Sequence, residues 1–276
     1  MKTIVVPTDF STISLNAVNY AADLACVIGT NLSLIHVCII PITLSEVPPP
    51  TINMEELVTD AEEKIRELKE KINYRLGEKL TIYTVVKQGD VVSEIDEYCN
   101  TVNPYAVVMG AESYGAFERF LIGGGKTISS MRKLSWPLIV VPPEVKFVSM
   151  KKIGLACDLR DVVETIPGNE IKSLVTEFHA ELHVLHVNKE GEDDLEPESV
   201  EESGLLQEIL VGLNPKYHFI RGTDIEKSIS EFAEQNELDL LIVIPKKHNL
   251  ISKMFQHSHS KRLVLQTHVP VMAIHE

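Results

Sequence analysis

Short apolar stretches of strand length alternate with amphipathic stretches of helix length along the first half of the chain. The half opens with a β-branched run, Lys2 to Val6, and continues with apolar residues at helical spacing that stop at Gly29. Ser11 or Ser14 is the expected cap of this helix. The other elements predicted here are the strands 32–39, 80–86, 105–109 and 137–141, and the helices 54–76, 91–98 and 128–134.

The same pattern returns in the second half. A strand that ends at Asp9 is repeated by a strand that ends at Asp158, 149 positions later. Strands that alternate with helices predict right-handed β-α-β crossovers, so we predict an α/β protein made of two doubly wound parallel sheets, in a tandem duplication. We assign residues 1–143 and 150–276 to the two domains. In the second copy, we expect an acidic loop at 190–202 and a shorter helix after it.

A glycine-rich stretch follows the fourth strand of the first half. The strand breaks at Gly110, and nine residues separate Ser113 from a second glycine cluster. Backbone N–H groups at glycines and the positive end of a helix dipole favour an anion, for which phosphate is the usual ligand. The residues of this predicted anion site are Gly110, Ser113, Gly123, Gly124, Gly125 and Lys126.

Composition limits the classes of partner. The net charge of −14 repels nucleic acid and anionic lipid, so we expect neither as a partner. The four cysteines lack the spacing of a metal site, and the chain shows neither a leader pattern nor an apolar run of about 18 residues. We therefore expect a cytoplasmic protein with reduced core thiols, a thiol sensor being the alternative.

These features resemble the universal stress protein family over almost all of both halves. In that family a strand ends in an aspartate, the second strand ends in His-Val, and a Gly-x-x-Gly, nine residues, Gly-Ser/Thr motif holds the phosphates of ATP. Here the matching residues are Ile4-Val5-Val6-Pro7-Thr8-Asp9, His36-Val37, Gly110 to Ser113, and Gly123-Gly124. The resemblance implies Rossmann-like sheets of order 3-2-1-4-5 that pack through their fifth strands as an internal pseudo-dimer.

The resemblance also implies an adenine nucleotide, such as ATP, bound in the first half only. Asp9 either accepts a ribose hydroxyl or caps the following helix, and both interpretations stay open. Ser113 replaces the second motif glycine, which costs about 1 kcal/mol if this position is left-handed and little if its φ is negative. Gly124 replaces the hydroxyl residue, which removes one hydrogen bond worth about 1 kcal/mol. The residues expected to line the rest of the pocket are Pro7, Thr8, Val37 and Met109.

The second half departs further from the motif. Ile244-Pro245-Lys246-Lys247-His248, nine residues and Ser258-His259 stand where the glycine motif is expected. In this alignment Pro245 and His248 replace Gly110 and Ser113, and proline has no N–H to offer a phosphate. We therefore predict that the chain binds at most one nucleotide.

Nine of the ten histidines lie in the second half. His257 and His259, with His248, could supply metal ligands, but dispersed surface imidazoles are favoured, with a pH-responsive surface as a further alternative.

No nucleophile with an identifiable base emerges. We predict a nucleotide-responsive stress or regulatory protein that binds rather than catalyses. The alternatives are a nucleotide-free scaffold and a slow ATP or AMP hydrolase, and a homodimer of the chain stays open.

Overall fold

A computed structural model of the chain describes residues 2–39, 53–111, 130, 134–188, 197–245 and 267–275. Strands and helices alternate in the first half, as the periodicity predicts. Its strands are β1 (Thr3–Pro7), β2 (Asn31–Cys38), β3 (Ile82–Gln88), β4 (Ala106–Gly110) and β5 (Leu138–Val141). Its helices are α1 (Thr12–Ile28), α2 (Met54–Leu76) and α3 (Val91–Val102).

The second half repeats this order with one helix broken in two. Its strands are β6 (Lys152–Ala156), β7 (Glu181–Asn188), β8 (Lys216–Arg221), β9 (Leu240–Val243) and β10 (Val271–Ala273). Its helices are α4 (Val162–Thr165), α5 (Gly168–Phe178), α6 (Pro197–Ile209) and α7 (Ile225–Gln235).

The strands of both halves form one continuous sheet of order β3-β2-β1-β4-β5-β10-β9-β6-β7-β8. Within each half the paired strands are parallel, in the predicted order 3-2-1-4-5. The halves meet through an antiparallel pair, β5 with β10, in which Val271 lies opposite Val140. The expected packing through the fifth strands is therefore confirmed. Helices cover the central strands, and Ile4, Val5 and Val6 are fully buried.

Helix ends in the first half lie where their sequence signals indicate. The Ser11 side chain accepts the N–H of Ser14 at the start of α1, which confirms the first of the two expected caps. Gly29 ends α1 with a φ of 66°, and Gly77 ends α2 with a φ of 64°. Glycine adopts this left-handed conformation without the steric cost that a Cβ atom brings.

Two predictions of local structure were wrong. The predicted strands differ from the observed ones by one or two residues at several ends, because the apolar pattern does not mark where the hydrogen bonds stop. The acidic loop 190–202 was predicted too long, since α6 already begins at Pro197. Glutamates are good helix formers, and Leu206 and Leu210 are fully buried on one side of this segment. The helix is shorter than α2, as expected, with 13 residues against 23.

The segment between the halves lies along α1. The Asn16 side-chain amide donates to the carbonyl oxygens of Pro142 and Val145, at 3.2 and 3.1 Å. Tyr20 of α1 packs edge to face on Phe147, with ring centroids 5.4 Å apart. The exact domain boundaries, 143 and 150, stay a prediction. Among the described residues, none of the helices combines the length and apolarity needed to cross a membrane.

Candidate functional site

The sheet topology places a crevice at the carboxyl ends of β1 and β4. The chain leaves β1 for β2 on one side and returns to β4 on the other, and open α/β sheets bind ligands at such a switch point. Six of the predicted site residues lie at the ends of β1, β2 and β4: Pro7, Thr8, Asp9, Val37, Met109 and Gly110. The other five lie outside the described residues: Ser113, Gly123, Gly124, Gly125 and Lys126.

Asp9 lies two residues beyond the end of β1, and it is exposed. Its Oδ1 accepts hydrogen bonds from the backbone N–H and the Oγ of Ser11, at 3.1 and 2.6 Å. Partial burial raises the pKa of the Asp9 carboxyl, but hydrogen bonds from Ser11 and Ser14 outweigh that effect and leave the pKa below its usual value. Asp9 is thus an ionised acceptor that positions the cap residue Ser11 and is not itself the cap.

Thr8 and His36 meet at the carboxyl ends of β1 and β2. The Thr8 hydroxyl lies 3.1 Å from the Ser14 hydroxyl and accepts the N–H of Phe10, also at 3.1 Å. His36 Nδ1 lies 2.7 Å from the Thr8 carbonyl oxygen, and because a carbonyl can only accept, the proton is on Nδ1. The His36 ring stacks on Phe10 at 4.8 Å between centroids. Thr8 therefore joins β1 to both β2 and α1.

Sequence reasoning missed this role of Phe10 and His36. Phe10 has a φ of 63°, a left-handed conformation that is uncommon for an aromatic residue and often found at functional turns. Leu159, at the equivalent place in the second half, has a φ of 51°. His186 Nδ1 there donates to the Cys157 carbonyl oxygen at 3.0 Å. The histidine bond that ties two strand ends is thus common to both halves.

Gly110 brings α1 close to the end of β4. A Cβ atom at Gly110 would lie 2.5 Å from Ile13 Cγ2 and 2.8 Å from the Ile13 carbonyl oxygen. Such distances are too short for any side chain, so a glycine is required for the first turn of α1 to pack here. Sequence reasoning attributed this glycine to the close approach of a ligand, whereas the observed close approach is that of a helix.

The equivalent position in the second half is occupied by Ile244. Strands β6 and β9 pair in the same register as β1 and β4. Counted along these strands, Ile244 takes the place of Gly110, and Pro245 takes that of Ala111. The prediction that Pro245 replaces Gly110 was therefore wrong by one residue. His248, the expected counterpart of Ser113, lies outside the described residues.

The helix after β6 is also different. Where α1 runs for 17 residues, α4 has four residues and the chain turns at Ile166 and Pro167 before α5 begins. Asp161 precedes α4 but makes no side-chain cap hydrogen bond. Instead, Oε2 of Glu202 on α6 accepts the N–H of Val162 at 2.9 Å. The Glu202 carboxylate thus lies at the N-terminal end of α4, the helix that follows β6.

The described residues contain no group of three histidine, cysteine or acidic side chains arranged to hold a metal ion. The predicted candidates His248, His257 and His259 lie outside the described part of the chain.

Cys38, Cys99 and Cys157 are buried and Cys26 is half-buried, all as free thiols. Burial, with the charge of Asp96, raises the pKa of the Cys99 thiol to about 12, so this residue has the character of an inert core cysteine.

Two open α/β units in tandem, each with a crevice at the end of its first and fourth strands, define the structural class of this protein. The chain belongs to the universal stress protein family, whose family model matches residues 1–142 and 169–275. No curated protein sequence is significantly similar to it.

Solved structures agree with this fold. A universal stress protein from Archaeoglobus fulgidus superposes with a TM-score of 0.72 at 19% identity, over 99% of this chain and 96% of that one. A protein of unknown function from Pseudomonas aeruginosa superposes with a TM-score of 0.62 at 11% identity, over 100% of this chain and 92% of that one. At such identities the likeness extends to the fold alone.

Proposed function

We propose that the chain binds one adenine nucleotide in the crevice of its first half and acts as a nucleotide-responsive stress protein. The observation that carries this proposal is the Asp9 carboxylate, which is exposed and ionised at the switch point of the sheet. Its two hydrogen bonds from Ser11 end on Oδ1. Oδ2 is the oxygen that we expect a ribose hydroxyl to reach.

The proposed pocket consists of the ends of β1, β2 and β4. Pro7, Thr8 and Asp9 line it from β1, and Val37 lines it from β2. Met109 and Gly110 line it from β4, and the phosphate groups are expected at Ser113 and at residues 123–126 beyond that strand. This division assigns the nucleoside to side chains and the phosphates to backbone N–H groups.

The second half supports a single site for each chain. Ile244 and Pro245 replace Gly110 and Ala111 at the end of the fourth strand, so the bulky Ile244 side chain stands where the first half has a glycine. The Glu202 carboxylate, which accepts the N–H of Val162, adds negative charge beside this crevice and would repel a phosphate. Asp158 has the same sequence position as Asp9, but Ile244 and not a glycine ends the neighbouring fourth strand.

Two measurements test the proposal. Freshly purified chain is denatured and the released small molecules are identified by mass spectrometry, with an adenine nucleotide as the expected result. Calorimetric titration with ATP then gives the stoichiometry, which we expect to be no more than one per chain. Two equal sites would contradict the single-site proposal. Release of no nucleotide together with no measurable ATP binding would favour the scaffold, and turnover of radiolabelled nucleotide would favour the hydrolase.

A further inference from the structure

Two histidines form a hydrogen-bonded pair on strands β7 and β8, away from the crevice. His183 Nδ1 lies 3.0 Å from His218 Nε2, so one of these nitrogens donates a hydrogen bond to the other. The rings are nearly parallel, with an interplanar angle of 6° and centroids 5.1 Å apart. His183 is buried, with 6% of its surface exposed. Phe232 of α7 packs against His218, with ring centroids 4.6 Å apart.

The charged groups around the pair give little support to added protons. Glu181 of β7 places Oε2 3.6 Å from His183 Nε2, too far for a hydrogen bond, and the same oxygen accepts one from Lys216 of β8 at 2.6 Å. Burial lowers the pKa of His183, and the charges of Lys216 and Lys152 add to this effect against the opposing effect of Glu181. Burial, with His183 and Lys216, also lowers the pKa of His218. The pair is therefore neutral in the folded chain at neutral pH.

The hydrogen bond within the pair limits how many protons it can hold. The pair can take up one proton and keep its hydrogen bond, because only one of the two facing nitrogens then carries a hydrogen. A second proton places a hydrogen on both of them, so the bond is lost and two positive charges meet in a buried place. Strand β8 is the last strand of the sheet, so it can separate from β7 without disturbing another strand.

We propose that the His183–His218 pair is an acid-sensitive latch, which takes up protons as the pH falls and releases the edge strand β8 from β7. The latch is independent of the nucleotide site. It makes one edge of the sheet responsive to pH, whereas the opposite edge, β3, has no such histidine pair with its neighbour β2. In the first half the positions equivalent to the latch and its packing partner are Ser33, Val85 and Tyr98. None of these is a histidine, and the Ser33 hydroxyl lies 2.7 Å from the Tyr98 hydroxyl.

The direction of the pH effect follows from proton uptake. An exposed histidine titrates near pH 6.5, so the released state gains protons below that value while the closed pair resists them. With one or two protons linked to release, the fraction of released β8 rises roughly ten- to a hundredfold between pH 7.5 and pH 5.5.

Hydrogen exchange read by mass spectrometry measures this release in the full chain. After correction for the intrinsic pH dependence of amide exchange, we expect the protection of β8 to fall roughly ten- to a hundredfold between pH 7.5 and 5.5. Strand β3, the other edge of the same sheet, is the internal control and should change by less than about threefold. Equal changes in the two strands, or no change in β8, would overturn the latch.

A matched variant isolates the two imidazoles. His183→Ser, His218→Val and Phe232→Tyr together install the residues of the first half, and β8 should then respond to acid no more than β3. A retained response would refute the proposal. If this variant does not fold, NMR titration of the unaltered chain decides the question: both imidazoles should titrate below pH 6.5, and a folded chain in which either titrates at or above pH 6.5 rules out the latch.

Discussion

In the first half, α1 begins at a serine cap and runs unbroken for 17 residues, and Gly110 lets its first turn pack against β4. In the second half the same place holds Ile244, and the helix is broken into α4 and α5. Both halves nevertheless build the same five-stranded order and bury their central strands alike. The fold therefore tolerates an exchange of glycine for isoleucine at the end of the fourth strand.

The difference separates two kinds of requirement. A parallel sheet needs apolar residues at the right period, and Ile, Val and Leu satisfy it interchangeably. A ligand crevice needs a small residue where backbones approach and an acceptor held in one orientation, as with Gly110 and Asp9. The second half keeps its aspartate, Asp158, but has Ile244 in place of the glycine, and its core is intact.

The strand-ending aspartates provide the sharpest test of this comparison. Asp9→Ala should weaken ATP binding by about 1.5–3 kcal/mol, or roughly ten- to a hundredfold, because a charge-assisted hydrogen bond to ribose is lost. The matched variant Asp158→Ala should leave the affinity nearly intact. Calorimetric titration of both variants measures the difference, and loss of half the sites on changing Asp158 would contradict the asymmetry.

Adenosine extends this test to the two parts of the ligand. Asp9→Ala should weaken adenosine as well as ATP, because ribose is common to both. Gly123→Val should weaken ATP far more than adenosine, because we expect residue 123 to face the phosphates. Equal effects of both variants on both ligands would count against the assigned orientation.

A glycine pair tests the packing side of the comparison. Gly110→Ala should lower the free energy of unfolding by about 1–3 kcal/mol, since its Cβ would collide with Ile13. Gly204→Ala on α6 is the control, because nothing lies within 4 Å of the added Cβ there and alanine should stabilise the helix by about 0.5–1 kcal/mol. Urea unfolding measures both, and a neutral Gly110→Ala would show that the close approach is not required.

The helix caps give the smallest expected difference. Ser11→Ala removes the bond to the Ser14 N–H and should cost about 1 kcal/mol of stability. Asp161→Asn in the second half should change stability by less than about 0.5 kcal/mol, because Asp161 makes no cap bond and asparagine also tolerates its φ of 51°. Thermal unfolding compares the two, and equal effects would mean that the serine cap contributes nothing.

The periodic elements were predictable from sequence because their signals are local. The helix 54–76 was placed with its observed bounds, since a long apolar stripe and a terminal glycine mark both its face and its end. The orientation of Asp9 was not predictable, because ribose contact and capping use the same residue type at the same place. The register that aligns Ile244 with Gly110 depends on pairing between distant strands, which sequence spacing alone left uncertain by one residue.

The antiparallel joint between β5 and β10 has a consequence for symmetry. A pair of identical subunits must carry every substitution twice, because the same surface is used on both sides of the axis. Here the two halves belong to one chain, joined by the segment to which Asn16 of α1 donates its hydrogen bonds. Each half therefore meets the other at an effective concentration on the order of millimolar. Dilution cannot separate such partners, and a change in one is not imposed on the other. Covalent pairing is thus what allows one crevice to keep its glycine while its twin exchanges it for isoleucine.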